Sequence, residues 1–131
     1  MAFETSTGAG NHADLASKSF LHDCLPDNYV QIATSTASQT FDLRGLVGVD
    51  RVGGTVTKDL GGKRVWVQML TQSGSIMRGS FTITAGVGLA LLTTDNPLRS
   101  FWVDPGVSVE NRVTFIAAGV GTIRFYYCSD L

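Results

Sequence analysis

Lys63-Arg64-Val65-Trp66-Val67-Gln68-Met69-Leu70-Thr71 is the stretch on which the fold turns. Val65, Val67 and Met69 fall on one side of an extended chain, and Trp66, Gln68 and Leu70 on the other. Side chains of a strand point alternately to its two faces, so this period of two predicts a strand buried on at least one side. Asp59-Leu60-Gly61-Gly62 before it and Gln72-Ser73-Gly74-Ser75 after it hold residues able to take positive φ, which predicts a hairpin on each side.

The same period returns at the end of the chain. In 122–129, Ile123, Phe125 and Tyr127 share one face, and Arg124, Tyr126 and Cys128 the other. Between and before these two stretches, segments rich in Thr, Val, Ile, Phe and Tyr are punctuated by Gly, Asp, Asn and Ser. They predict strands at 29–34, 38–43, 54–57, 76–84, 87–93, 98–103, 107–109 and 112–117. The first three are short and are expected at sheet edges or in hairpins. Thr94-Asp95-Asn96-Pro97 and Asp104-Pro105-Gly106 read as turns, the second because Pro presets φ and Gly accepts the left-handed conformation. Roughly eight to ten short strands, spaced by roughly 8 to 12 residues, predict a mainly antiparallel β-sandwich or jelly roll, the sandwich being preferred.

Ahead of the β region the pattern differs. Residues 1–10 have no hydrophobic period and are expected to form a flexible arm. Asn11 offers a helix N-cap, Asp14 suits the first turn, and Leu15, Ala16, Phe20, Leu21 and Cys24 recur at helical spacing. A short helix over about 12–24 is predicted, ended by Pro26. Residues 11–131 are then one domain, which suits a chain of 131 residues.

The charged fraction is 16%, below the usual quarter, and the formal net charge is −1 with no basic run. A basic footprint for nucleic acid is missing, so none is expected as a partner. The scarcity of charge leaves neutral surface of the kind that partners cover, which favours an oligomer or a component of an assembly. No stretch approaches the roughly 20 apolar residues of a membrane-spanning helix, and the start lacks the pattern of a secretory signal. Synthesis in the cytoplasm is expected. There the two cysteines, Cys24 and Cys128, read as small buried hydrophobes rather than a bonded pair.

Chemistry is hard to place. His12 and His22 are ten residues apart, with no third ligand at metal-binding spacing, so no metal or cofactor is expected. Cys24 and His22 diverge by about 200° around a helix, too far apart for a nucleophile and its base. No Gly-x-Ser-x-Gly elbow occurs. Asp27, Asp50, Asp59, Asp95 and Asp104 fall in turns, where a carboxylate caps its own backbone two residues on. Catalysis is therefore not expected. Among the aromatics, Trp66, Phe101, Trp102, Tyr126 and Tyr127, some must face outward, and such residues serve subunit contacts more often than sugar stacking.

Met1-Ala2-Phe3-Glu4-Thr5-Ser6-Thr7, followed by Asp14-Leu15 and Phe20-Leu21, resembles the start of a group of small virion structural proteins of tailed bacteriophages. In that group a Met-Ala-Phe-Glu-Thr-Gly-Thr arm leads into a helix carrying Asp-Leu-Leu and Phe-Leu pairs. Here Ser6 stands for the Gly and Ala16 for the second Leu, and the likeness covers about residues 1–25. It implies a non-enzymatic protein of the virion, such as a capsid decoration, neck, tail or baseplate component, that associates with itself and with other virion proteins. Phe3, Leu15 and Phe20 are the anchor candidates of its arm and helix, and Trp66 and Trp102 those of the β domain. The competing expectation is a module that binds a host-surface glycan through exposed aromatics and loop tips.

Overall fold

The computed structural model describes residues 25–84, 86–93, 99–106 and 111–129. Ten strands make up its regular structure: β1 (Asn28–Thr34), β2 (Gln39–Asp42), β3 (Leu46–Val49), β4 (Thr55–Lys58), β5 (Arg64–Thr71), β6 (Gly74–Arg78), β7 (Leu89–Leu91), β8 (Arg99–Trp102), β9 (Arg112–Ala117) and β10 (Gly121–Tyr127). They form a six-stranded sheet, β4-β3-β1-β10-β5-β8, and a four-stranded sheet, β2-β9-β6-β7. Every pairing is antiparallel. The protein is thus mainly β, with two antiparallel sheets in a sandwich-like arrangement.

One core fills the space between the sheets. Val30, Val65, Val67, Met69, Ile123, Phe125 and Tyr127 face inward from the larger sheet, and Ile76, Leu91, Val113, Phe115 and Ala117 from the smaller. Phe41 of β2 lies 5.6 Å edge-on from Phe125 and 6.2 Å from Phe115, stitching the layers together through aromatic contacts. The alternation read in 63–71 and 122–129 is realised directly: Val65, Val67, Met69, Ile123 and Phe125 are buried, while Trp66, Gln68, Leu70, Arg124 and Tyr126 are half-buried on the outer face.

Connectivity departs from the expectation of local hairpins. β5 lies in the larger sheet and β6 in the smaller, so 72–73 carries the chain across the core instead of turning it back. On the other side, β4 and β5 share a sheet but are separated in it by three strands. Nor is β1 at an edge: it is flanked by β3 and β10, whereas β2 and β4 do occupy edges. The turn sequences were genuine signals of reversal, yet reversal in a two-layer fold can lead to the opposite sheet.

β3 was missed because Gly48 interrupts its apolar alternation. A Cβ at Gly48 would sit 2.5 Å from the Gln31 carbonyl oxygen and 2.6 Å from Val30 Cγ1, so the strand can lie against β1 only without a side chain there. β3 and β4 form the one local hairpin of this region, closed by Asp50 N–H to Gly54 O at 2.9 Å. The strand expected over 76–84 ends at Arg78, where Gly79 takes φ of 114° and the chain turns away. The arm, the helix over 12–24, Cys24 and the strand 107–109 lie outside the described residues.

Setting the β3–β4 hairpin aside, the remaining strands pair in nested fashion. β6 pairs with β7, β5 with β8, β2 with β9, and β1 with β10. The chain is in effect one long double ribbon, folded so that β10 also pairs with β5 and β9 with β6.

Candidate functional site

The outer face of the six-stranded sheet holds the most organised group of side chains. Registers β1·β10 and β10·β5 align Tyr29, Tyr126 and Trp66 in one row, with Gln31, Arg124 and Gln68 in the next. Arg124 Nε donates to Gln31 Oε1 at 2.9 Å, and Arg124 Nη1 donates to the Tyr126 hydroxyl at 3.2 Å. The Tyr126 hydroxyl in turn donates to Gln68 Oε1 at 2.7 Å. Because a guanidinium can only donate, this chain of bonds fixes both glutamines with their carbonyl oxygens inward to the network. Their amide N–H groups have no partner among the described residues and remain for an external acceptor.

The rings are held as firmly. The Arg124 guanidinium lies 4.1 Å from the Tyr29 ring centre, and Tyr29 meets Tyr126 edge-on at 5.4 Å. Trp66 and Trp102, both proposed from sequence, come to this face: Trp66 pairs with Ser100, and Trp102 with Arg64, which places the tryptophans diagonally on adjacent strands. Tyr126 joins them, whereas Phe101 and Tyr127 turn to the interior side. Farther along, Val47 and Val49 are 59% and 39% exposed on the same side, Val49 pairing with outward Gln31. The outward strand positions carry Arg64 and Arg124 but no carboxylate. Phe3, Leu15 and Phe20 lie outside the described residues.

The opposite sheet has part of its outer face, over β9, covered by its own chain. Thr114 points outward from β9 yet is fully buried, because the chain after β6 folds back over it. Its hydroxyl donates to Gly79 O at 2.7 Å, accepts from Phe81 N–H at 3.2 Å, and lies 3.3 Å from Thr40 Oγ1. Ile83 is buried beneath the same segment and its N–H bonds Ser38 Oγ at 3.2 Å.

At one end of the domain Arg44 ties three turns together. Its guanidinium meets the Asp59 carboxylate in two bonds, Nε to Oδ1 at 2.7 Å and Nη2 to Oδ2 at 3.1 Å. Nη1 also donates to the carbonyls of Pro105 and Gly106, the latter at 2.7 Å. The Arg44 hydrogen bonds, followed by the Gly61 N–H, hold the Asp59 carboxyl below the usual aspartate range. Asp50, Asp59 and Asp104 each accept from the N–H two residues on, at 3.1, 2.8 and 2.7 Å, as turn chemistry predicted. Asp27 instead takes the N–H and hydroxyl of Ser129, which lower its pKa. Among the described residues no group of three or more His, Cys, Asp and Glu side chains converges. Cys128 is buried, as expected for its half of the pair, and its thiol donates to Leu25 O at 3.3 Å.

Sequence reasoning named Trp66 and Trp102 but not the polar network beside them. Gln31, Gln68 and Arg124 each sit between core residues of a strand, which marks them as outward; that they meet depends on a register that the sequence does not display. The chain matches no family model, no curated protein and no solved structure.

Proposed function

We propose that the protein is a non-enzymatic structural component of a bacteriophage particle, acting by self-association and by docking on a larger assembly through the outer face of its six-stranded sheet. The observation that carries this reading is the nested pairing of β1·β10, β2·β9, β5·β8 and β6·β7. It supports taking the domain as a jelly roll with an inserted β3–β4 hairpin, a fold that serves viral shells and lectins alike.

Between those two uses, the surface favours assembly. A stacking platform for sugars needs open ring faces, but the face of Tyr29 is occupied by Arg124 and its edge contacts Tyr126. What remains is a broad, carboxylate-free face with exposed valines, aromatic rings and outward amide donors, the composition of a contact surface between proteins. The likeness of residues 1–25 to small virion proteins points the same way. In this reading residues 12–24 form the short helix, and Phe3, Leu15 and Phe20 supply further anchors on a neighbour. The segment leaves the domain at Leu25, beside the ends of the two central strands β1 and β10.

Sedimentation velocity over a range of concentrations tests the proposal. A stable homo-oligomer that loosens when residues 1–10 are deleted is the expected result; a strict monomer indifferent to that deletion would refute it. Glycan binding abolished by Trp102→Ala, in a protein that stays monomeric, would establish the module reading instead.

A further inference from the structure

Where the edges of the two sheets face each other, between β6–β7 and β5–β8, a cleft of about 380 Å³ opens toward the core. Its floor is Val67, Ile76 and Val113, and its walls include Leu89 and Phe101. β7 is only three residues long, and Gly88, at φ of 97°, lies so close to β6 that a Cβ would stand 2.6 Å from Met77 Cγ and 2.8 Å from Ile76 O. The chain thus narrows at the cleft without a side chain to fill it.

Two arginines stand at the mouth, both at register positions that face between the sheets. Arg78 pairs with inward Val113, and Arg99 with inward Val67. Arg78 is fixed across the gap: its Nη2 donates to Trp102 O at 3.1 Å and its guanidinium lies 5.3 Å from the Phe101 ring centre. Among the described residues the Arg99 side chain has no hydrogen-bond, ion-pair or ring partner. No carboxylate is among the described lining residues. An apolar pit with cationic groups confined to its rim matches a ligand that has an apolar body and a single anionic head. Its volume, at the small end of small-molecule sites, suits one alkyl chain and not a two-chain lipid.

We propose that this cleft binds a medium-chain alkyl carboxylate, the chain lying on Val67, Ile76 and Val113 and the carboxylate accepting hydrogen bonds from Arg99. The alternative use of inward-facing arginines, blunting the sheet edges against pairing with other chains, requires no ligand.

Isothermal titration of the full chain with decanoate, below the concentration at which it forms micelles, separates the two. Saturable one-to-one binding is expected, weakened about tenfold or more by Arg99→Gln through loss of a charge-assisted bond. Methyl decanoate should bind weakly to both proteins, and Leu89→Trp, which plugs the wall at an exposed position, should abolish decanoate binding while the melting temperature holds. Absence of saturable binding, equal affinity for the ester and the acid, or an unchanged affinity in Arg99→Gln would overturn the assignment.

Discussion

The outer faces of the two sheets are built on opposite plans. On the four-stranded sheet, Thr114 is sealed beneath the chain's own 79–84 segment, and its hydroxyl bonds that segment to the strand. On the six-stranded sheet, Tyr126 occupies an equivalent outward position and its hydroxyl also joins two partners, but both are side chains of the same face. One hydroxyl closes a surface and the other prepares one. Where the chain covers a sheet face itself, that part has no need of a partner; in the proposed reading the other face, stiffened by cross-strand bonds and uncovered among the described residues, meets its partner at low entropic cost.

Removing each hydroxyl should separate the two plans. Thr114→Val removes a fully buried hydroxyl and leaves the Phe81 N–H and Gly79 carbonyl without their partner, and we expect a loss of about 2 kcal/mol in urea unfolding, with faster amide exchange over 79–84. Tyr126→Phe keeps the ring on a half-wet face, so its cost should be about 1 kcal/mol or less, with stability otherwise preserved. Equal losses at the two sites would erase the contrast.

A smaller effect belongs to the end of the domain. The Asp59 carboxyl is held below its unfolded value by Arg44, so its stabilisation is present above the ordinary aspartate pKa and disappears as pH falls through the folded one. Asp59→Asn should therefore lower stability slightly at neutral pH, the pair being partly exposed, leave it unchanged at low pH, and flatten the acid limb of the stability–pH profile by that same small amount. An unchanged acid limb would show that the three turns do not depend on this bond.

Much of this architecture was legible in the residues. The period of two in 63–71 and 122–129 located two strands that pair inside the larger sheet, away from its edges, and named their inner and outer faces. Asp50, Asp59 and Asp104 announced their turns because the caps are local. What failed was long-range. The turn residues around β5 could not reveal that the chain crosses to the other layer, and Gly48 hid β3 because its role is close approach to β1, a contact made across the sheet. The candidate site was half visible for the same reason: Trp66 and Trp102 stood out by size, but Gln31, Gln68 and Arg124 become a network only once three strands are in register.

The most direct test of the central claim places a charge on each face and weighs the result. Trp66→Glu and Val47→Glu put a carboxylate on the outer face of the six-stranded sheet, and Ala90→Glu puts one on an exposed outward position of β7 in the other sheet. With folding verified by circular dichroism, sedimentation equilibrium should find the wild type and Ala90→Glu associated and both larger-sheet variants reduced to monomers. Dissociation by Ala90→Glu alone, or a wild type that is monomeric at every concentration, would contradict the account.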